Sequence, residues 1–245
     1  MLSGETFVFG HRGAKDYAPM NTLPAFELTL EQGGAGIELD VHRSKDGYPV
    51  IVHDFTVDET TDGEGYVTEK TLAELKDLDA GSWFDPQFSG VRIPTLDEVF
   101  EVVGQQLLIN VEIKSTGAET DGAEQVVADC IAHHNMGDRV LVSSFNPMAL
   151  KRFRAIAPEI MIGFLYLQGM EIDTESMMDG YAHEARHPYH DMIDEAYMMW
   201  AKKHNYFVNT WTVNDPNRAC ELKQLGVNCI ITDAPDVIIK AIEAC

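Results

Sequence analysis

Eight short apolar, β-branched runs recur along the chain, separated by segments with the spacing of amphipathic helices. They fall at 6–10 (TFVFG), 36–41 (GIELDV), 107–113 (LLINVEI) and 140–144 (VLVSS), then at 161–166 (MIGFLY), 181–186 (YAHEAR), 206–212 (YFVNTWT) and 228–232 (NCIIT). Strands alternating with helices demand a parallel sheet, and eight such units predict closure into a (β/α)₈ TIM barrel. The sixth run departs from the pattern, with His183, Glu184 and Arg186 where apolar side chains are wanted. Helix signals are clearer. Residues 147–157 open on a first-turn proline, while 215–225 place Asp215 as N-cap, Pro216 just inside and Gly226 at the stop.

No repeat, linker or low-complexity stretch divides the 245 residues, so a single domain over 1–245 is expected. Two features interrupt the barrel rhythm. Asp46-Gly47 is a hairpin signal just past the second strand. Residues 55–95 are too long for an ordinary connection and read as a small insertion over the barrel mouth, a candidate lid.

Composition narrows the partners. With 18 basic against 40 acidic residues the formal charge is −22, a surface that repels nucleic acid and anionic membranes. An anionic substrate therefore needs positive charge supplied locally. No run approaches the ~18 apolar residues of a membrane span, so no stable membrane insertion is expected. The first residues lack a basic region and an apolar segment of signal-peptide length, and a cytoplasmic address is expected. Cys130, Cys220, Cys229 and Cys245 show neither CxxC pairing nor zinc-ligand spacing, which predicts reduced, structural thiols, with Cys245 at the surface.

Active sites of such barrels lie at the C-terminal strand ends. Those ends carry His11-Arg12, then Glu38 and Asp40, then Glu112 and Lys114, and finally Trp211 and Asn214. Glu38 and Asp40 share a strand face, and the next barrel strand brings Glu112 beside them. If the hairpin turns between Asp46 and Gly47, His53 stands opposite Asp40. Three converging carboxylates either pair with Arg12, Lys114 or Arg43 or hold a hard divalent cation, and oxygen-only ligands favour Mg²⁺ or Ca²⁺ over zinc. His11 and His53 on the same rim suit acid–base work, with His53 the expected base because Asp40 would orient it. Arg12 and Lys114 either bind a phosphate or neutralise the acids. His42 faces the metal side by parity, whereas His133, His134, His187, His190 and His204 read as structural.

These residues stand within an ordered series of motifs: HRG at 11–13, P-x-NT at 19–22, ELD at 38–40, HD at 53–54, NVEIK at 110–114, SSF at 143–145, TWTVN at 210–214 and IITD at 230–233. The series resembles that of the glycerophosphodiester phosphodiesterases from about residue 7 to 237. The resemblance implies hydrolysis of a small-molecule glycerophosphodiester to glycerol 3-phosphate and an alcohol. It also implies His11 and His53 as the catalytic pair and Glu38, Asp40 and Glu112 as metal ligands. Arg12 and Lys114 would hold the phosphate, and Trp211 would wall the pocket. One departure is Met20, where the family usually has a glutamate, which predicts weaker support of Arg12 or the metal. Segment 168–190 also matches the family poorly.

Three other readings compete. A lysophospholipase D or cyclising phospholipase would want an apolar rim, for which Tyr17, Trp83 and Phe84 are candidates. A catalytically weak phosphate-ester-binding homologue would bind without turnover, and a barrel isomerase or aldolase lacks an obvious Schiff-base lysine. Oligomeric state has no signal in the sequence.

Overall fold

The structure is a computed structural model that describes residues 5–170, 178 and 180–245. Its sheet contains β1 (Phe7–His11), β2 (Gly36–Arg43), β3 (Pro49–Ile51), β4 (Leu108–Ile113), β5 (Val140–Ser144), β6 (Met161–Tyr166), β7 (Ala185–Pro188), β8 (Phe207–Thr210) and β9 (Cys229–Thr232). All but β3 pair in parallel, and β1 bonds to both β2 and β9, closing an eight-stranded barrel. The short β3 runs antiparallel on the outer end of β2.

Outside lie α1 (Leu23–Glu31), α3 (Leu96–Val102), α4 (Ala123–His133), α5 (Pro147–Ile156), α6 (Glu195–Lys203), α7 (Pro216–Leu225) and α8 (Pro235–Ala244); α2 (Leu72–Asp77) lies within the segment 55–95. The strands are buried on both faces, as helix-covered parallel strands must be. Their outward residues pack against the helices, as Ile37, Leu39, Val111 and Val142 do in the largest apolar cluster. Helix limits follow local chemistry. Asp215 caps α7 by accepting from the Asn217 N–H, and Gly226 ends it at φ 87°.

The structure corrects three expectations. The sixth barrel strand is Ala185–Pro188 rather than 181–186. Its polarity hid it, because Arg186 is buried with its guanidinium 4.9 Å from the Tyr206 ring centroid and 5.3 Å from that of Trp200. Glu184, before the strand, accepts the Ile162 N–H and pairs with Arg154. Part of the poorly matching segment 168–190, residues 171–177 and 179, lies outside the described residues.

The hairpin register differs by one. Val41 pairs with Ile51 and His42 with Val50, so Asp40 faces Val52, not His53. The Ser44 N–H bonds the Tyr48 carbonyl, which leaves the three-residue loop Lys45-Asp46-Gly47 with Gly47 at φ 96°. Such loops place a glycine in the left-handed region as their third residue. The centre of symmetry is therefore Asp46 itself.

Two of the cysteines are not reduced. Cys220 of α7 and Cys245 beyond α8 form a disulfide with Cα atoms 6.0 Å apart, while Cys130 and Cys229 are buried free thiols. Packing of α7 against α8 brings the pair together, and no local spacing announces it.

The segment 55–95 packs around the β3 end, with Val57, Val67, Leu75, Ala80 and Ile93 against Val50 and Val52. Two capping boxes hold its helical edges, Thr71 with Glu74 and Thr95 with Glu98. Among the described residues, no helix is long and apolar enough to cross a membrane.

Candidate active site

At the C-terminal ends of the strands a cavity of about 220 Å³ is lined by His11, Arg12, Glu38, His53, Asn110, Glu112, Lys114, Phe145, Leu165, Trp211, Thr212 and Ile231. The barrel register assembles it. His11 of β1 is level with Glu38 of β2, and Asp40 of β2 is level with Glu112 of β4. Level residues on adjacent strands project to the same face, so these carboxylates meet inside the barrel. His53 reaches the cavity from just past β3, where the hairpin strand has ended and its side-chain alternation no longer applies.

The turn after β1 is tightly built. Arg12 sits at φ 56° and Gly13 at φ 84°, the left-handed region that costs a residue with a side chain about 1–2 kcal/mol. A Cβ on Gly13 would stand 2.6 Å from the Ala25 backbone, so α1 can approach only a glycine here. The strained turn aims the Arg12 N–H at Glu38 Oε2 (3.1 Å) and its Nε at Asp40 Oδ2 (3.3 Å). Asn21, also left-handed at φ 57°, donates to Asp40 Oδ2 at 2.8 Å. Met20 occupies the remaining side of Arg12, its Sδ accepting from Nη1 at 3.3 Å.

Glu38, Asp40 and Glu112 are all buried, and one ligand oxygen from each lies within 4.8 Å of the others. Burial opposes ionisation of Asp40, but Lys114 and Arg12 outweigh it and hold its carboxyl well below the usual range. Lys114 Nζ lies 2.8 Å from Asp40 Oδ1 and 2.7 Å from Glu112 Oε1. Burial pushes Glu112 up to about 7. Burial, then the neighbouring Asp40 and Glu112 charges, pushes Glu38 well above its ordinary value. One lysine and one arginine thus leave three enclosed acids short of positive charge. A divalent cation fits the donor set, because its charge would restore the ionised form of the two raised glutamates and its preference is for oxygen ligands.

The histidines differ in their support. His11 Nδ1 stands 2.6 Å from Asp233 Oδ1, and Asp233 in turn accepts from Asn214 Nδ2 at 2.7 Å and faces Lys15 Nζ at 3.3 Å. Burial lowers the His11 pKa, opposed by the Asp233 hydrogen bond. His53 is more open, and its Nδ1 contacts Asp54 Oδ1 at 2.8 Å. Burial lowers its pKa too, opposed by the charge of Asp40. Asp40 is therefore an electrostatic neighbour of His53, and Asp54 is the group that orients it. With Nδ1 engaged on both rings, Nε2 is the nitrogen left for a substrate.

Of the eight residues given roles by the family resemblance, all but Asp40 line the cavity, and Asp40 lies behind its wall beneath Arg12, Lys114 and Asn21; Asn214 stands outside it, bonded to Asp233. Trp211 is fixed by its Nε1–H bond to the His187 carbonyl (2.9 Å) and by edge contact with Phe145. His42 points elsewhere, its Nε2 3.3 Å from the His53 carbonyl and its ring on Phe55. Trp83, Phe84 and Tyr17 do not line the cavity, nor does any other residue of 55–95. The sequence reading assigned no role to Asn21, Asp54, Asp233 or Phe145, although all four stand within its motif strings. The signal was present in P-x-NT, HD, IITD and SSF, but, apart from Asp54 beside His53, the contacts that define the roles join residues distant in the chain. A larger depression of about 740 Å³ lies at the opposite, N-terminal rim between Thr6, Val8, Val227 and Glu243. It gathers no comparable set of acids, bases and cations.

The chain also matches known proteins over nearly its whole length. The profile of the "Glycerophosphoryl diester phosphodiesterase family" matches residues 11–237. A glycerophosphodiester phosphodiesterase of Caldanaerobacter subterraneus is 40% identical over 242 residues, covering 97% of this chain and 98% of that protein. One from Bacillus altitudinis is 34% identical, covering 96% and 97%. Among solved structures, a phosphodiesterase of Oleispira antarctica in complex with its product sn-glycerol-3-phosphate superposes with a TM-score of 0.90 at 34% identity, covering 98% of this chain and 97% of its own. A glycerophosphodiester phosphodiesterase from Agrobacterium tumefaciens gives 0.83 at 28% identity, covering 96% and 99%.

Proposed function

Because this chain belongs to the glycerophosphodiester phosphodiesterase family, and so is a phosphoric diester hydrolase, we propose that it cleaves glycerophosphodiesters to sn-glycerol 3-phosphate and an alcohol, with Glu38, Asp40 and Glu112 holding Mg²⁺ or Ca²⁺ and His11 and His53 exchanging the protons. The observation that carries this reading is that both imidazoles, two of the acids and both cationic side chains line one cavity of about 220 Å³. When bound, the cation supplies charge stabilisation to the phosphoryl oxygens.

Arg12 and Lys114 add to that charge. Lys114 spends two of its three N–H donors on Asp40 and Glu112, which leaves one for a phosphoryl oxygen. His53 takes the proton of the glycerol 2-hydroxyl at Nε2, with Asp54 holding the other nitrogen. The freed oxygen attacks phosphorus, the bond from phosphorus to the departing alcohol breaks, and that alkoxide takes a proton from His11. Asp233 suits His11 to the acid role, since a carboxylate at 2.6 Å stabilises the imidazolium that must form beforehand. Water then opens the cyclic phosphate with the two roles reversed. Phe145, Leu165, Trp211 and Ile231 give the cavity an apolar wall for the non-phosphate parts of the substrate.

The test is release of choline from glycerophosphocholine, whose other product is sn-glycerol 3-phosphate, compared with choline release from lysophosphatidylcholine, after chelation and after return of Mg²⁺ or Ca²⁺. Turnover that vanishes on chelation and returns with the cation is expected, with glycerophosphocholine preferred. His11→Ala and His53→Ala should each lower kcat by about 10²–10⁴-fold. Full turnover in the presence of chelator, or in either variant, overturns the corresponding part of the reading.

A further inference from the structure

We propose that Asp97, Cys130 and His134 form a second metal site, for Zn²⁺, in the helical layer outside the barrel and separate from the carboxylate site at its mouth. Cys130 and His134 stand four residues apart at the end of α4, which puts them on one helix face. Asp97 comes from the first turn of the neighbouring α3. Ligand atoms of all three lie within 4.8 Å of one another, and His134 Nε2 is 2.9 Å from Asp97 Oδ1. A tetrahedral zinc ion with bonds of ~2.0–2.3 Å separates its ligand atoms by roughly 3.3–3.6 Å, so the three need only small side-chain shifts to meet it.

The donor set selects the ion. One sulfur, one imidazole nitrogen and one carboxylate oxygen suit zinc, whereas Mg²⁺ and Ca²⁺ take oxygen. The mouth site is the reverse case, three carboxylates and no sulfur or nitrogen. Cys130 is a buried free thiol, and the His134 ring is braced by edge contacts with Phe100 and His133. A shallow cavity of about 240 Å³, lined by Asp97, Cys130, Asp129 and His133 among others, opens this cluster to solvent. It provides a route for the ion and room for a fourth ligand, water or His133. Binding exchanges the Cys130 thiol proton, released to solvent, for a sulfur–metal bond. It also replaces the direct Asp97–His134 hydrogen bond with two bonds to the ion.

The consequence is mechanical. The ion would clamp α3 to α4, and the same cavity is bordered by Gly47 and Pro49 of the hairpin that leads to His53. The competing account is that the cluster is only a hydrogen-bonded clip between the helices.

The experiment uses the full chain, freed of metal by chelation and kept under inert gas without reductant, so that the Cys220–Cys245 disulfide stays closed. Titration with Co²⁺ should give a thiolate-to-cobalt charge-transfer band in the near ultraviolet with tetrahedral visible bands, at one ion per chain, and Zn²⁺ should displace it. The band should persist in Glu112→Gln, which disarms only the mouth. In Cys130→Ser it should be absent, and in His134→Gln zinc affinity should fall by more than the roughly 10–100-fold typical of losing an outer-shell partner. In the Glu112→Gln background zinc should raise Tm with Cys130 and His134 present and leave Cys130→Ser and His134→Gln unmoved, while with Glu112 restored both variants keep the parent's phosphodiesterase activity with Mg²⁺. If Cys130→Ser does not fold, His134→Gln alone decides, since His134 is partly exposed. Absence of the thiolate band in the parent, or unchanged zinc binding in His134→Gln, overturns the site in favour of the hydrogen-bonded clip.

Discussion

His11 Nδ1 and Asp233 Oδ1 are 2.6 Å apart, and that contact joins the last residue of β1 to the first residue beyond β9. It couples ring orientation at the barrel mouth to the pairing of two strands whose residues are 222 positions apart in the chain.

Replacing Asp233 by Asn should therefore impair catalysis with little loss of substrate binding. Burial lowers the His11 pKa and the Asp233 hydrogen bond and charge raise it, so losing that charge lowers it further. With His11 as acid, fewer rings carry the needed proton at a given pH. The alkaline limb of the kcat–pH profile should move to lower pH, and kcat at neutral pH should fall by about 10²-fold. An unmoved alkaline limb would place the acid role on another group.

Met20→Glu should strengthen metal binding. The thioether now accepts a weak hydrogen bond from Arg12 Nη1 at 3.3 Å, while Arg12 Nε stays 3.3 Å from Asp40. A carboxylate in that position would pair with the guanidinium and leave more of the Asp40 charge for a cation. The Mg²⁺ concentration giving half-maximal activity should drop by about 10-fold. A rise in that concentration would show that Arg12 needs its freedom more than its partner.

Acid should weaken the fold through His187. Burial alone lowers its pKa to about 3, and Asn209 Nδ2 lies 3.0 Å from its Nε2. The unfolded chain protonates this ring near ~6.5, so below that pH it binds a proton that the native state refuses. The stability is fully present above ~6.5 and declines towards pH 3, by at most about 1.4 kcal/mol per pH unit. Urea unfolding at pH 7, 6 and 5 should show this slope, and His187→Gln should flatten it.

Reduction should loosen the C-terminal helices. Denatured protein without reductant should show two reactive thiols, Cys130 and Cys229, and reduction should expose the other pair. Closing a loop of 25 residues is worth about 3.5 kcal/mol in the unfolded state, so Cys220→Ser should lower Tm measurably. Four reactive thiols before reduction would return the cysteines to the state expected from the sequence.

Much of the fold was readable because its signals are local. Pro216 and Gly226 bound α7 where the sequence puts them, since a proline's missing N–H and a left-handed glycine act within one turn. Arg186 misled for the opposite reason: its burial depends on Tyr166, Trp200 and Tyr206, which come from other elements. His53 reached the cavity although its expected partner was wrong. A one-residue change of turn centre moved Asp40 opposite Val52, and the chain past β3 still returned the imidazole to the mouth.

By itself the sequence determined the eight parallel strands and the convergence of Glu38, Asp40 and Glu112, because strand alternation and neighbouring barrel position are enough to set which side chains face inward. Only the tertiary structure decided that Asp233 and Asp54 orient the two histidines, that Cys220 meets Cys245, and that Asp97 stands beside His134. Apart from the adjacent His53 and Asp54, these contacts join segments far apart along the chain. Their geometry comes from barrel closure and helix packing, which no local pattern of residues encodes.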